Sequence, residues 1–168
     1  MEKIGIFYGT STGNTEYVAK QLADKLNLSP SALFDVSQVD GGQISQFDLL
    51  IFGSSTLGYG DLQDDWYDFI EDVKGSDLSG KKVAVFGLGD SSSYPDTFCD
   101  AIGLIATAVQ EAGATLIGNH VDKSDYLFDD SISVVNDAFC GLPLDEDNEP
   151  DKTEERVEKW VKQLQSSF

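Results

Sequence analysis

The sequence predicts an α/β protein: a doubly wound, five-stranded parallel sheet with helices on both faces. Three observations predict it. Short apolar runs alternate with stretches of helical period, the runs are apolar on both faces, and several end abruptly in polar, glycine-bearing loops. Strands buried on both faces need a helical layer on each side, and helices between them supply the crossovers that parallel pairing requires. With 168 residues, 40% of them apolar, the chain can bury a sizeable core as a single domain over residues 1–168.

The elements follow in order. Residues 3–8, KIGIFY, form a first strand. Residues 14–26 form a helix, because Val18, Leu22 and Leu26 recur at intervals of four with Ala19 and Ala23 beside them. A short second strand is expected at 32–36, and only a short helix in the glycine-containing crossover 37–47. Residues 48–53, DLLIFG, make the third strand, and residues 62–74 a second major helix. Residues 82–87, KVAVFG, make the fourth strand. Residues 97–113 form a long helix with Phe98, Ala101, Ile102, Ile105 and Val109 on one side and Gly113 near its stop. The fifth strand is expected at 115–119. Residues 120–143 are too long for a simple connection and are expected to form an insertion in that fifth strand. The chain closes on a helix over 152–165, with Val157, Trp160, Val161 and Leu164 facing inward.

Thirty acids against eleven bases give a formal charge of −19. Nucleic-acid binding needs a basic footprint and is disfavoured, as is an anionic membrane surface. A basic protein partner suits the charge, because complementary fields speed encounter. No apolar run approaches the roughly 20 residues that span a bilayer, and residues 1–8 do not have the make-up of a secretory leader. A soluble cytoplasmic protein is expected. Cys99 and Cys140 form no CxxC and are expected to be buried free thiols. The single histidine, His120, is given no catalytic or metal role. The acidic run 145–151 lacks the glycine and closing glutamate of an EF-hand loop, so no metal is expected.

Ligands on open α/β sheets bind at the carboxyl ends of strands, where strand order reverses. Three such ends carry unusual sequences: GTSTGNTE (9–16), GSSTLGYGDLQDDW (53–66) and GLGDSSSYPDTF (87–98). The first suits a phosphate monoester. Unpaired N–H groups at a helix start favour an anion, Thr10, Ser11, Thr12, Asn14 and Thr15 add donors, and Gly13 lets the backbone come close. It has no lysine and departs from the P-loop pattern, which argues against nucleotide hydrolysis. The third loop offers Tyr94 as a stacking surface, and Asp90 either as an acceptor for ring N–H groups or as a group that orients backbone donors. In the second, Gly58 and Gly60 flank Tyr59, and glycine lets a peptide bond beside Gly58 reverse its carbonyl at low cost. That freedom matters where a ring nitrogen changes from acceptor to donor.

Taken in order, GTSTGNTE, TLGYGDLQDDW and FGLGDSSSYPDTFCDAIG, with GLPLDEDN (141–148) and the closing ERVEKWVKQL, closely resemble a flavodoxin of the long-chain type over essentially the full length. The resemblance implies strand order 2-1-3-4-5 and a tightly, noncovalently bound flavin mononucleotide (FMN). It implies that Thr10, Ser11, Thr12, Gly13, Asn14 and Thr15 hold the phosphate. Ser55, Thr56, Leu57, Gly58, Tyr59 and Gly60 flank the isoalloxazine ring. Gly89 and Asp90 lie near its pyrimidine edge, Tyr94 stacks on its outer face, Phe98 belongs to the same site, and Asp147 meets the ribityl chain. The implied role is that of a monomeric, low-potential one-electron carrier without catalytic residues. Its partners would be basic redox proteins such as an NADP reductase and ferredoxin-dependent oxidoreductases. Leu57 departs from the tryptophan such flavodoxins often carry, which implies weaker flavin binding.

Two further readings bear on the same loops. A response-regulator receiver would need acids where this chain has YGTST and FGSST, and is excluded. An FMN-dependent quinone or NAD(P)H reductase of the same fold is the alternative, and would need a substrate pocket over the ring. Finally, Asp61, Asp64, Asp65, Asp68 and Asp72 are expected to share one stripe of the helix 62–74, opposite Leu62, Trp66, Phe69, Ile70 and Val73, as a docking face beside the second loop.

Overall fold

The computed structural model describes residues 3–168; the reading of residues 1–8 as lacking a leader rests partly on Met1 and Glu2, which lie outside the described residues. The chain runs β1 (Ile4–Gly9), α1 (Asn14–Lys25), β2 (Leu33–Asp35), β3 (Leu49–Leu57), β4 (Asp61–Leu62), α2 (Trp66–Lys74), β5 (Lys82–Leu88) and α3 (Asp100–Glu111). It continues through β6 (Thr115–Leu116), β7 (Val121–Asp122), β8 (Val134–Val135), β9 (Ala138–Phe139), β10 (Leu142–Leu144) and α4 (Thr153–Gln165). The crossover before β3 holds only a short 3-10 helix, Gly41–Gln46.

The main sheet is parallel, in the order β2-β1-β3-β5 with β6 and β10 sharing the edge beyond β5. β6 pairs with Lys82–Val83 and β10 with Phe86–Leu88, so the fifth position is filled by two short strands in line. Gly118 turns the chain out of the sheet at φ 59°, which ends the expected 115–119 strand early. The intervening segment forms its own three-stranded antiparallel sheet, β7-β9-β8. The expected order and the insertion in the fifth strand are both present.

Alternate strand residues feed two apolar layers. Phe7, Leu50, Phe52, Val83 and Val85 pack with α2, α3 and the insertion; Ile6, Leu49, Ile51, Ala84 and Phe86 pack with α1 and α4. All ten are fully buried, which is the pattern of a sheet covered on both faces. Trp66 and Trp160 anchor the two layers, donating Nε1–H to the Gly53 and Gly118 carbonyls at 2.8 and 2.9 Å. Their rings are thus buried without an orphaned donor. Cys99 and Cys140 are buried free thiols.

Three expectations shift. β3 runs to Leu57 rather than Gly53, because its end hairpins with β4 (Thr56 opposite Leu62). As a result α2 begins at Trp66, not 62. α3 begins at Asp100, not 97, because the Phe98 amide bonds to the Asp130 carbonyl of the insertion and Cys99 sits at φ 53°.

Candidate functional site

The carboxyl ends of β1, β3 and β5 lie side by side, and the order reverses at β1, which is where open α/β sheets take ligands. The first loop leaves β1 at Gly9. A Cβ there would overlap Gln63 Oε1 and lie 2.6 Å from Trp66 Cδ1, so only glycine lets the second loop close over the first. Thr10 Oγ1 accepts from the Gly13 amide at 2.9 Å. Gly13, at φ 95°, is the N-cap of α1, and among the described residues no side chain caps the helix. Around Gly13 a Cβ would meet nothing within 4 Å. Ser11, Thr12 and Asn14 are exposed beside it, and Thr15 is buried at the first turn. The result is an open helix terminus, electropositive through its dipole, ringed by uncharged donors.

The second loop is tied to both neighbours. Gln63, 1% exposed, donates Nε2–H to Ser11 Oγ at 3.2 Å and to Asp65 Oδ2 at 2.8 Å. Buried Ser54 accepts from the Gln63 amide at 3.2 Å. Thr56 Oγ1 accepts from the Ala101 amide at 3.1 Å, joining the loop to α3. Ser55, Thr56 and Leu57 are half-buried at the strand end. Gly58 and Gly60 adopt φ 53° and 99°, conformations that glycine takes at little cost. They push Tyr59 outward to 87% exposure.

In the third loop the Gly89 amide donates to the Leu144 carbonyl at 2.9 Å. Asp90 Oδ1 accepts from the Ser92 and Ser93 amides at 3.2 and 3.0 Å and from Asn148 Nδ2 at 2.9 Å. Burial opposes its charge, but these bonds outweigh that and hold the carboxyl below its usual range. Tyr94, partly exposed, meets Tyr59 edge to face with ring centres 5.8 Å apart. Asp147 is exposed near Asp90 and Asp145, the three carboxylates lying within 4.8 Å of one another. Partial burial, then Asp90 and Asp145, push its carboxyl above the usual range.

The structure therefore gathers Thr10–Thr15, Ser55–Gly60, Gly89, Asp90 and Tyr94 around one sheet edge, with Asp147 beside them. Phe98 lies behind Gly89, where a Cβ would come 3.0 Å from its Cδ1, but its ring belongs to the core. It is 1% exposed and packs against Phe128 and Phe139, ring centres 5.6 and 6.1 Å away, beneath the insertion. The acidic stripe is also not a single helix face. Asp61 is on β4, Asp64 and Asp65 precede α2, and Asp72 accepts from the Gly41 amide at 3.1 Å. Gln63, Ser91, Asp145 and Asn148 organise the loops and were not singled out from the sequence. Asp145 carried one signal: it directly follows an apolar strand, as the loop residues after β5 do.

An open α/β sheet with a hydroxyl-rich helix start and tyrosine-bearing loops over its switch point defines the nucleotide-binding, doubly wound class. The flavodoxin family model matches residues 6–160. A flavodoxin of Buchnera aphidicola is 44% identical over 165 residues, covering 98% of this chain and 96% of that one. A Nostoc flavodoxin is 41% identical over 167 residues, covering 99% and 98%. The solved structure of Fusobacterium nucleatum flavodoxin bound to flavin mononucleotide superposes with a TM-score of 0.93 at 27% identity, covering 100% of this chain and 99% of that one. The chain belongs to the flavodoxin family. Flavodoxins are electron-transfer proteins, not enzymes, and they exchange electrons with other redox proteins. Among the described residues no helix is long and apolar enough to cross a membrane.

Proposed function

We propose that this chain is a low-potential one-electron carrier that binds FMN noncovalently. We propose further that it acts as one domain over residues 1–168, a cytoplasmic monomer, and passes electrons between basic partners such as an NADP reductase and ferredoxin-dependent oxidoreductases. The observation that carries the reading is the uncapped start of α1 at Gly13, open around the backbone and surrounded by Thr10, Ser11, Thr12, Asn14 and Thr15. This donor set fits a phosphate dianion: charge-assisted bonds from neutral donors and a helix dipole meet its charge without a cation.

When bound, the flavin supplies the electron chemistry. The chain's own residues bind and orient it. Thr10–Thr15 would hold the phosphate. Ser55, Thr56, Leu57, Gly58, Tyr59 and Gly60, with Gly89, Asp90 and Tyr94, would border the ring. Asp147 is offered to the ribityl chain. Phe98 supports the wall from the core rather than touching the ligand. Asp90, Asp145 and Asp147 disfavour added negative charge nearby, which lowers the potential of the carrier.

Exposed Asp61, Asp64 and Asp68 beside the second loop suit a basic partner even though they do not form one helical stripe. The purified protein should take up FMN, become reducible in distinct one-electron stages, and show negligible turnover with NADPH alone. Its association with a basic reductase should slow as ionic strength rises, followed by stopped-flow absorbance. Steady NADPH-driven reduction of a quinone would overturn the carrier reading.

Leu57 provides burial without ring stacking. Leu57→Trp is expected to tighten FMN binding by about 1 kcal/mol, the scale of an aromatic pair, read by fluorescence titration of the apoprotein. Unchanged or weaker binding would contradict the role given to this position.

A further inference from the structure

Asp145 is fully buried although it opens the acidic run 145–151. Burying a carboxylate is costly unless donors meet it. Here the donors are uncharged and come from two loops. Ser91 Oγ and N donate to Oδ2 at 2.5 and 3.3 Å. The Asn148 amide donates to Oδ1 at 3.1 Å, and Asn148 Nδ2 lies 3.0 and 3.1 Å from the two carboxylate oxygens. The same Nδ2 reaches Asp90 Oδ1 at 2.9 Å. The Glu149 amide closes the turn on the Asp145 carbonyl at 2.8 Å. One buried group thus joins the loop after β5 to the loop after β10, and sets the direction of Asp90 through Asn148.

We propose that Asp145 is a positioning residue for the flavin ring: it holds the wall carrying Gly89, Asp90 and Tyr94 in its binding arrangement before the ligand arrives. The inference rests on the FMN reading above and deepens it. Like charge on Asp90, Asp145 and Asp147 would drive the two loops apart; the neutral donors of Ser91 and Asn148, fixed on Asp145, oppose this. Fixing a binding wall in advance removes ordering cost from the binding step. Asp145 is buried, so it acts through Ser91, Asn148 and Asp90.

The test uses the full chain freed of flavin and three probes: FMN, riboflavin and inorganic phosphate. Asp145→Asn keeps the shape but turns an NH2 toward donors. It should weaken FMN and riboflavin alike by about tenfold, the equivalent of one charge-assisted bond, and leave phosphate binding at the first loop, followed by phosphorus NMR, unchanged. Ser91→Ala, which removes a single donor, should act in the same direction by about threefold and carries the test if Asp145→Asn does not fold. Parental riboflavin affinity in both variants, or equal loss of phosphate binding, would overturn the positioning role. A parent chain that binds neither flavin would overturn the FMN reading itself.

Discussion

The Thr12→Ala/Asn14→Ala double variant is expected to hold FMN about 100-fold more weakly than the parent while binding riboflavin equally well. The loop from Thr10 to Thr15 has no lysine, so neutral donors and the α1 terminus must meet the phosphate charge alone. A hydrogen bond to a charged group contributes about 1.5–3 kcal/mol. On an exposed loop the lower end applies, so losing two costs about 3 kcal/mol, or two decades in Kd. Both side chains are exposed, and the Thr10–Gly13 and Gln63–Ser11 bonds that shape the loop are left in place. The loss should therefore come from the ligand and not from the fold. Fluorescence titration of the apoprotein with each flavin separates the two. Equal weakening of riboflavin would show that the loop does not grip the phosphate.

The strands and helices were legible because burial on two faces leaves continuous apolar runs, and helices leave a period of four. The six residues after β1 read as an anion cradle, the role proposed for them above, because each offers a side-chain or backbone donor and none is bulky or acidic. What sequence missed were the places where one element depends on another distant in the chain. Helix α2 starts late because residues 61–62 pair back onto β3, and no local propensity encodes that pairing. For the same reason the acids at 61–72 do not share one face. Phe98 reaches the site only from behind Gly89, because its ring packs on Tyr126, Phe128 and Phe139 of the insertion. Gln63 and Asp145 sit among acids that read as surface. Their burial follows from partners 52 and 54 residues away, Ser11 and Ser91.

The largest effect on stability is expected at Gly53, and it shows how closely the site depends on the sheet beneath it. Gly53 stands opposite Phe86 in the β3–β5 ladder, and a Cβ at Gly53 would fall within the Phe86 ring. Phe86 is fully buried between α1 and α4, so the ring cannot swing out into solvent. Gly53→Ala must therefore displace a packed ring or part the strands, and overpacking of this kind costs about 3 kcal/mol, the upper end of its usual range. The Gly53 carbonyl also accepts from Trp66 Nε1 at 2.8 Å, and Ser54, Ser55 and Thr56 follow directly. A shift here reaches the second loop at its root, so flavin binding should fall along with the urea midpoint. Shortening the neighbour tests the cause. Phe86→Leu alone should destabilise by leaving a cavity, but Gly53→Ala/Phe86→Leu should be less damaging than the two changes summed, with a coupling of about 1 kcal/mol or more. Strict additivity in urea denaturation would mean that the glycine is required for backbone reasons, and that the ring opposite it is incidental.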